Sequence, residues 1–303
     1  MSAADASRAA PGGAPLAAML ALTLNAFVWG VSWWPFRQMQ AQGLHPLWCT
    51  ALIYAIALTA IALRWPRALG RLARTPALWS LVLASGTTNA AFNWGVSIGE
   101  VVRVVLLFYL MPLWAVLLAR WLLHERLTPR ALLRVALALA GAAIVLKPEG
   151  RGWPLPASLA DWLGVAGGFT FALNNVLLRR ESHRPAEARA IAMFAGGVLV
   201  SAGLALALAG SGLVPPPPAP RAAWLVPVLG LALAFLIANM ALQYGAARLR
   251  ANVTAVVMLT EVVFATGSAV LLGDQALSGT VLLGGALILA AAVLSAWEPE
   301  PAA

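Results

Sequence analysis

The chain has 303 residues, of which 61% are hydrophobic and only 10% are charged. A soluble domain usually has about 45–50% apolar and about 25% charged residues, so these proportions exclude a soluble domain of this size and a disordered chain. The single cysteine excludes a disulfide scaffold, and the basic residues behind the net charge of +9 are too scattered for a nucleic-acid surface. A polytopic membrane protein remains, with room for about ten helices of about 20 residues.

Long apolar runs, separated by clusters of Arg, Pro and Gly, predict ten membrane-spanning helices in chain order. Such runs are expected to be helical because lipid offers no partner for backbone polar groups. The predicted spans are 16–36, 46–63, 76–97, 101–120, 130–147, 159–178, 188–209, 223–244, 251–272 and 279–297. The first run is too long for a signal-peptide core and lacks a convincing cleavage site, so we expect it to be retained.

The basic residues of the loops predict the orientation of these spans. If the N-terminus is cytoplasmic, fifteen Lys and Arg residues fall on the cytoplasmic side and five on the other. Cytoplasmic loops are the ones enriched in Lys and Arg, so both termini are predicted to be cytoplasmic. The composition (one Lys, nineteen Arg and abundant Ala) suggests a GC-rich genome, and together with the family resemblance given below it leads us to expect a bacterial inner membrane.

The sequence contains an internal repeat, in which residues from about 79 to 146 align without a gap with residues 229 to 296, at a constant shift of 150. The most informative matches are Asn89 with Asn239, Gly95 with Gly245, Trp94 with Tyr244 and Trp114 with Phe264. Each half holds five spans, and an odd number inserts the second half in the opposite direction. Inverted repeats of this kind are typical of secondary transporters, whose substrate site lies between the repeats near the bilayer midplane. The predicted organisation is a flexible cytoplasmic N-terminus (1–15), a first five-helix repeat (16–147), a periplasmic connector (148–158), a second five-helix repeat (159–297) and a cytoplasmic tail (298–303).

Short motifs in a fixed order resemble those of a known family. They are Phe27-Val28-Trp29-Gly30 in the first span, Tyr109-Leu110-Met111-Pro112-Leu113-Trp114 in the fourth, and His124-Glu125-Arg126-Leu127-Thr128 after it. Together with the ten spans, they resemble the drug/metabolite transporter superfamily and its bacterial EamA-type exporters. The chain departs from the family pattern at Glu261-Val262, where Glu-Pro is frequent, and at Gly273-Asp274-Gln275, where Gly-Glu is frequent. The resemblance implies a central cavity lined by spans 1, 3, 4, 6, 8 and 9, with spans 5 and 10 at the periphery.

Glu261 is the most informative candidate site residue because it lies halfway along the ninth predicted span. A carboxyl group at that depth is costly and suggests a function. It would either exchange protons during transport or bind a substrate amine. The structural alternative is a protonated Glu that hydrogen-bonds another helix. We expect Glu261 to lie in the substrate cavity and to couple transport to protons.

Arg103 begins the fourth span, three residues after Glu100. It is expected either to bind an anionic substrate group at the outer mouth of the cavity or to form an ion pair at the helix end. Four amides at repeat-related positions are expected to face inward, where they would line the cavity or bond between helices. They are Asn89, Asn93, Asn239 and Gln243.

Aromatic residues within the spans are candidates for the cavity wall, with helix packing as the alternative. They are Trp29, Trp94, Tyr109, Trp114 and Tyr244. Pro112 removes a helix hydrogen bond and predicts a kink in the fourth span. Gly164 and Gly168 predict a close helix contact in the sixth span.

These features predict a secondary transporter of a small organic metabolite, with an amino acid or related amphiphile favoured and export expected. Import or exchange of a nucleoside, sugar or drug is the alternative. A channel is less favoured because of the inverted repeat. An intramembrane enzyme is less favoured because only one deep carboxyl and no deep His are present. The expected partners are the small-molecule substrate and the lipid bilayer, with no nucleic acid and no obligatory protein partner. Neither a metal nor a cofactor is expected, because no ligand spacing or nucleotide-binding loop occurs.

Overall fold

The computed structural model describes residues 13–122, 128–147, 155–181, 183–246, 248–249, 254, 257–273 and 277–296. The described part is helical and contains no strand. Its helices are α1 (Gly13–Val31), α2 (Trp33–Ala41), α3 (Pro46–Arg64), α4 (Pro66–Arg74), α5 (Pro76–Ile98), α6 (Val101–Phe108), α7 (Met111–Leu122), α8 (Pro129–Val145), α9 (Leu159–Arg180), α10 (Ala186–Gly210), α11 (Ala222–Ala246), α12 (Thr260–Leu272) and α13 (Gly279–Ala296). The motif His124 to Leu127 and the residues Asp274 and Gln275 lie outside the described residues.

Several helical segments are long and apolar enough to cross a membrane, which identifies an all-helical, multi-pass membrane protein. They are Leu16–Ala41, Pro46–Arg64, Val101–Leu122, Ala186–Gly210 and Ala222–Gly245. The apolar helices Thr260–Leu272 and Gly279–Leu294 are shorter. Helix α5 is 23 residues long but less apolar, because it carries polar side chains such as Ser85, Thr88 and Asn89 that are largely buried inside the protein.

Two of the predicted spans are interrupted helices. The first breaks at Ser32 between α1 and α2 and continues to Ala41, five residues beyond its predicted end. The fourth breaks between Phe108 and Met111. Pro112 has no N–H to donate to the carbonyl of Phe108, four residues earlier, so the helix cannot run through this point. The kink that Pro112 predicts is therefore present, two residues ahead of the proline.

Close helix contacts depend on glycine at positions where a side chain would collide. A Cβ on Gly164 would lie 3.0 Å from the carbonyl oxygen of Val104, and one on Gly168 would overlap the carbonyl of Phe108. The close contact that these glycines predict is therefore present and joins α9 to α6. A Cβ on either Gly86 of α5 or Gly196 of α10 would overlap the partner helix backbone in the same way.

The helices form a central group and a peripheral pair. Helices α1, α3, α5, α6, α9, α10, α11 and α12 pack on one another. Helix α8 packs most extensively against α13. A Cβ on Gly141 or Gly284 would lie 2.6–2.7 Å from the opposite backbone oxygen of that pair. The central helices leave a cavity between them, whereas α8 and α13 lie apart from it.

Candidate functional site

A cavity of about 160 Å³ lies among the central helices. Its polar lining consists of Asn25, Tyr54, Ser85, Thr88, Asn89, Asn174, Asn239 and Glu261. Its aromatic lining consists of Trp29, Phe92, Phe108, Phe171, Phe194 and Phe235, and Met193, Leu242 and Met258 complete it. Both halves of the chain contribute, and neither α8 nor α13 does.

Glu261 reaches this cavity from the first turn of α12 and is only 8% exposed. Its Oε2 accepts a hydrogen bond of 3.1 Å from the hydroxyl of Tyr109, at the break between α6 and α7. Gly30 of α1 allows the close approach, since a Cβ there would lie 2.8 Å from the backbone oxygen of Glu261. Among the described residues, no basic side chain forms an ion pair with this carboxyl group. Tyr109 does not line the cavity itself and instead orients the acidic group that does.

Asn89 lies in the first half of the chain, whereas Glu261 lies in the second. Both the oxygen and the nitrogen of the Asn89 side-chain amide form hydrogen bonds. Its Oδ1 accepts a hydrogen bond from the hydroxyl of Tyr54, and its Nδ2 donates to the backbone oxygen of Ser85 at 2.8 Å. These bonds fix the Asn89 side chain and join α3 to α5. Asn239, the repeat-related residue, also lines the cavity, and its Oδ1 accepts a 2.6 Å hydrogen bond from Gln243.

Two further amides of the lining are almost completely buried. Asn25 and Asn174 are 1% and 3% exposed. Asn25 donates from Nδ2 to the backbone oxygen of Ala238 at 2.8 Å, which joins α1 to α11. The Oδ1 atoms of Asn25 and Asn174 find no hydrogen-bond donor within the described part of the chain. A buried carbonyl oxygen without a donor is unfavourable, so these two atoms carry an energetic cost.

Aromatic rings in contact with one another form much of the wall. Trp29 stacks on Phe235 with ring centroids 4.5 Å apart, and its edge meets Phe92 at 6.2 Å. Phe108 contacts Phe92 at 4.9 Å and Phe171 at 5.3 Å. These rings come from α1, α5, α6, α9 and α11, so the wall connects the two halves of the chain.

The structure therefore brings four of the predicted site residues to the cavity: Glu261, Asn89, Asn239 and Trp29. Two others do not line the cavity but donate hydrogen bonds to residues that do: Tyr109 to Glu261, and Gln243 to Asn239. Asn93 is buried elsewhere and donates from Nδ2 to the hydroxyl of Thr50 at 3.1 Å.

Three predicted aromatic residues lie away from the cavity lining. Trp94 packs against His45 with ring centroids 5.1 Å apart. Trp114 meets Phe169 edge-on at 5.5 Å. Tyr244 is 40% exposed and lies under the guanidinium of Arg248 at 3.8 Å. Trp94 and Trp114 therefore take part in packing, the alternative considered for these rings, whereas Tyr244 makes a surface contact.

Arg103 also lies away from the cavity lining and is held by an ion pair. Its Nε and Nη2 donate to the carboxylate of Asp161 at 2.7 and 3.0 Å, and its Nη1 donates to the backbone oxygen of Val145 at 2.7 Å. Asp161, in the first turn of α9, is 3% exposed. The expectation that Arg103 binds an anionic substrate group is corrected here, because its guanidinium already bonds to Asp161 and Val145. The ion-pair partner is Asp161 rather than the expected Glu100.

The cavity also contains residues that the sequence did not single out. Tyr54 of α3 and the adjacent pair Met193 and Phe194 of α10 line it, so spans 2 and 7 join the six expected ones. Tyr54 is one of only three tyrosines in the chain, and its ring lies 5.5 Å from that of Phe194. A hydroxyl in the middle of an apolar helix is a signal that would have selected it. Within the described ranges, no three His, Cys, Asp or Glu side chains cluster as metal ligands would.

The fold defines a multi-pass helical membrane protein with an internal cavity. Residues 16–147 match the model of the EamA-like transporter family, which confirms the expected resemblance. One crystal structure of another protein is similar to this chain, with a TM-score of 0.55 and 24% sequence identity. That similarity, which covers 91% of this chain and 95% of the other, shows a shared fold alone. No curated protein matches the chain.

Proposed function

We propose that this protein is a secondary transporter that binds a small organic metabolite beside Glu261 and moves it by alternating access. The observation that carries this proposal is the cavity itself. It lies among helices of both halves, and it contains a buried carboxyl group in a chain with few charges. A polar group of that kind at membrane depth is costly, and substrate or proton binding accounts for it.

The repeat supports alternating access. Four pairs of lining residues are related by the same shift of 150: Ser85 with Phe235, Asn89 with Asn239, Phe92 with Leu242, and Phe108 with Met258. A site built from equivalent positions of two inverted repeats can open to either side by nearly equivalent movements. We therefore propose ten spans in two inverted five-helix repeats.

The proposed setting is a bacterial inner membrane with both termini in the cytoplasm. Contacts between helix ends support the topology. Arg37 donates to the backbone oxygens of Val96 and Gly99, and Arg103 pairs with Asp161, all at ends proposed to be periplasmic. The proposed cytoplasmic side has the Arg71–Glu187 pair.

The size of the cavity favours a small metabolite over a drug. Drug-sized ligands occupy pockets of about 300–1,000 Å³, whereas this cavity has about 160 Å³. An amino acid or related amphiphile is the favoured cargo and export the favoured direction. Energy would come from the substrate gradient or from protons exchanged at Glu261. A nucleoside or sugar importer remains the second candidate within the same class.

Counterflow tests the proposal. Purified full-length protein in proteoliposomes, preloaded with one member of a panel of amino acids, amines, nucleosides and sugars, should accumulate external label of the same compound above its equilibrium level. The initial rate should saturate with concentration. A carrier shows both properties. Flux that never saturates and never produces counterflow would identify a channel and overturn the proposal.

A further inference from the structure

The charge of the cavity has one sign. Glu261 is the one acidic residue of the described lining. No Lys, Arg or His is among those residues. Arg103 is the residue that the sequence suggested for binding an anionic group, and its guanidinium already donates to Asp161 and to the carbonyl of Val145. A substrate carboxylate in the cavity would therefore meet a carboxyl group without a compensating cation.

The carboxyl group of Glu261 is the charged hydrogen-bond acceptor of the described lining, and a primary ammonium group has three N–H donors. The Oδ1 atoms of Asn25 and Asn174 also find no donor among the described residues, but these two atoms are fully buried. The contact with Glu261 is therefore the one that carries the recognition of an ammonium group.

The walls suit the body of an organic cation. The faces and edges of Trp29, Phe92 and Phe108 supply apolar contact, and aromatic faces attract cations within about 6 Å. The volume of about 160 Å³ is close to the roughly 150 Å³ of an apolar cavity that holds benzene. A ligand with about one ring and a short chain fits this volume.

We infer that the cavity selects a small protonated amine, whose ammonium group pairs with Glu261 while its apolar body lies against the aromatic wall. This inference rests on the proposed transport function and narrows its substrate class. Among the amino acids and related amphiphiles proposed above, it favours amines that carry no carboxylate, because the charge of the site disfavours a second anionic group. The ammonium group is the part of the ligand that the protein recognises.

Three probes of the same shape and different charge test this inference. They are 2-phenylethylamine, which is cationic, L-phenylalanine, which is zwitterionic, and 3-phenylpropionate, which is anionic. Binding to the purified full chain in detergent is measured by calorimetry at pH 8. The expected order of affinity is amine, then zwitterion, then anion. The amine should bind about tenfold or more tightly than the anion, since a charge-assisted hydrogen bond contributes about 1.5–3 kcal/mol and 1.4 kcal/mol is a factor of ten.

Variants separate the carboxyl contact from general effects on the fold. Glu261→Gln keeps the size of the side chain and can still accept from Tyr109, and it should weaken amine binding about tenfold or more. Glu187→Gln removes a carboxyl group that pairs with Arg71 away from the cavity, and it should leave amine binding unchanged. Size-exclusion profiles establish that each variant is folded.

Several outcomes would overturn the inference. Tighter binding of the zwitterion or the anion would show that a substrate carboxylate is recognised. Equal amine affinity for the wild type and Glu261→Gln would remove the carboxyl group from the site. Binding of none of the probes would also count against it. Counterflow of any other panel compound would still support the transporter, so failure here is distinguishable from failure of the proposed function.

Discussion

Replacing Arg103 by Met should destabilise the protein through the loss of a buried ion pair, without removing a substrate contact. Arg103 makes two hydrogen bonds with the carboxylate of Asp161 and one with the carbonyl of Val145, and these bonds connect α6, α9 and α8. Hydrogen bonds to charged groups contribute about 1.5–3 kcal/mol each. The Arg103 side chain is 23% exposed, so screening reduces that sum. Asp161 keeps backbone N–H donors, those of Ala157 at 3.0 Å and of Ser158. We expect a net loss of about 3 kcal/mol, within the range for breaking buried pairs.

A double-mutant cycle isolates the pair. Arg103→Met, Asp161→Asn and the double variant are compared with the wild type by equilibrium unfolding in mixed micelles of increasing SDS content, followed by tryptophan fluorescence. Residues in direct contact show coupling energies of about 0.5–3 kcal/mol, and we expect about 2 kcal/mol for this pair. Amine binding should be unchanged in any folded variant. Additive single effects, or a selective loss of ligand affinity in Arg103→Met, would refute the assignment of Arg103 to structure.

Three further predictions concern stability, each measured by the same unfolding assay. Tyr54→Phe leaves the buried Oδ1 of Asn89 without its donor and should cost about 1–3 kcal/mol; an unchanged free energy would show that the bond contributes nothing. Gly196→Ala should cost about 1–3 kcal/mol, because its Cβ would overlap the backbone of α5. Gly203→Ala on the same helix has open space and is the control, so equal effects would contradict this packing. Burial lowers the pKa of His45, whose Nδ1 accepts from the backbone N–H of Leu47 at the start of α3. The unfolded chain therefore binds the proton more readily, and the contribution of His45 is complete above pH about 6.5 and is lost as the pH falls through the lower folded pKa. His45→Asn should remove that part of the pH dependence, and a variant with the wild-type pH profile would count against it.

The sequence predicted those features that depend on local chemistry. Pro112 cannot continue the hydrogen bonding of a helix wherever it lies, so the break in the fourth span could be located in advance. The glycines Gly164 and Gly168 gave the contacting face of α9 for the same reason, because only a small side chain allows another backbone so near. Glu261 was found because a carboxyl group has few tolerable environments in a membrane.

Features that depend on the rotation of one helix against another could not be predicted. Asn93 follows Asn89 by four residues, which is slightly more than one turn, and this rotation takes it from the cavity to Thr50. The sequence drew attention to Glu100, three residues before Arg103, as a possible ion-pair partner. The partner in the structure, Asp161, lies 58 residues away on α9. The hydroxyl of Tyr54 marks it as a candidate, but an apolar helix gives no periodic signal for the face that meets a cavity, so its place in the lining could not be predicted.

The central claim, that transport proceeds through the cavity beside Glu261, is tested most directly by counterflow with Glu261→Gln. The initial rate of 2-phenylethylamine counterflow at pH 8 is compared for the wild type, Glu261→Gln and Glu187→Gln at equal amounts of reconstituted protein. The account predicts that Glu261→Gln reduces the rate at least about tenfold, the factor expected for loss of one charge-assisted contact, while Glu187→Gln keeps it. Wild-type counterflow by Glu261→Gln, with the same response to pH, would contradict the account.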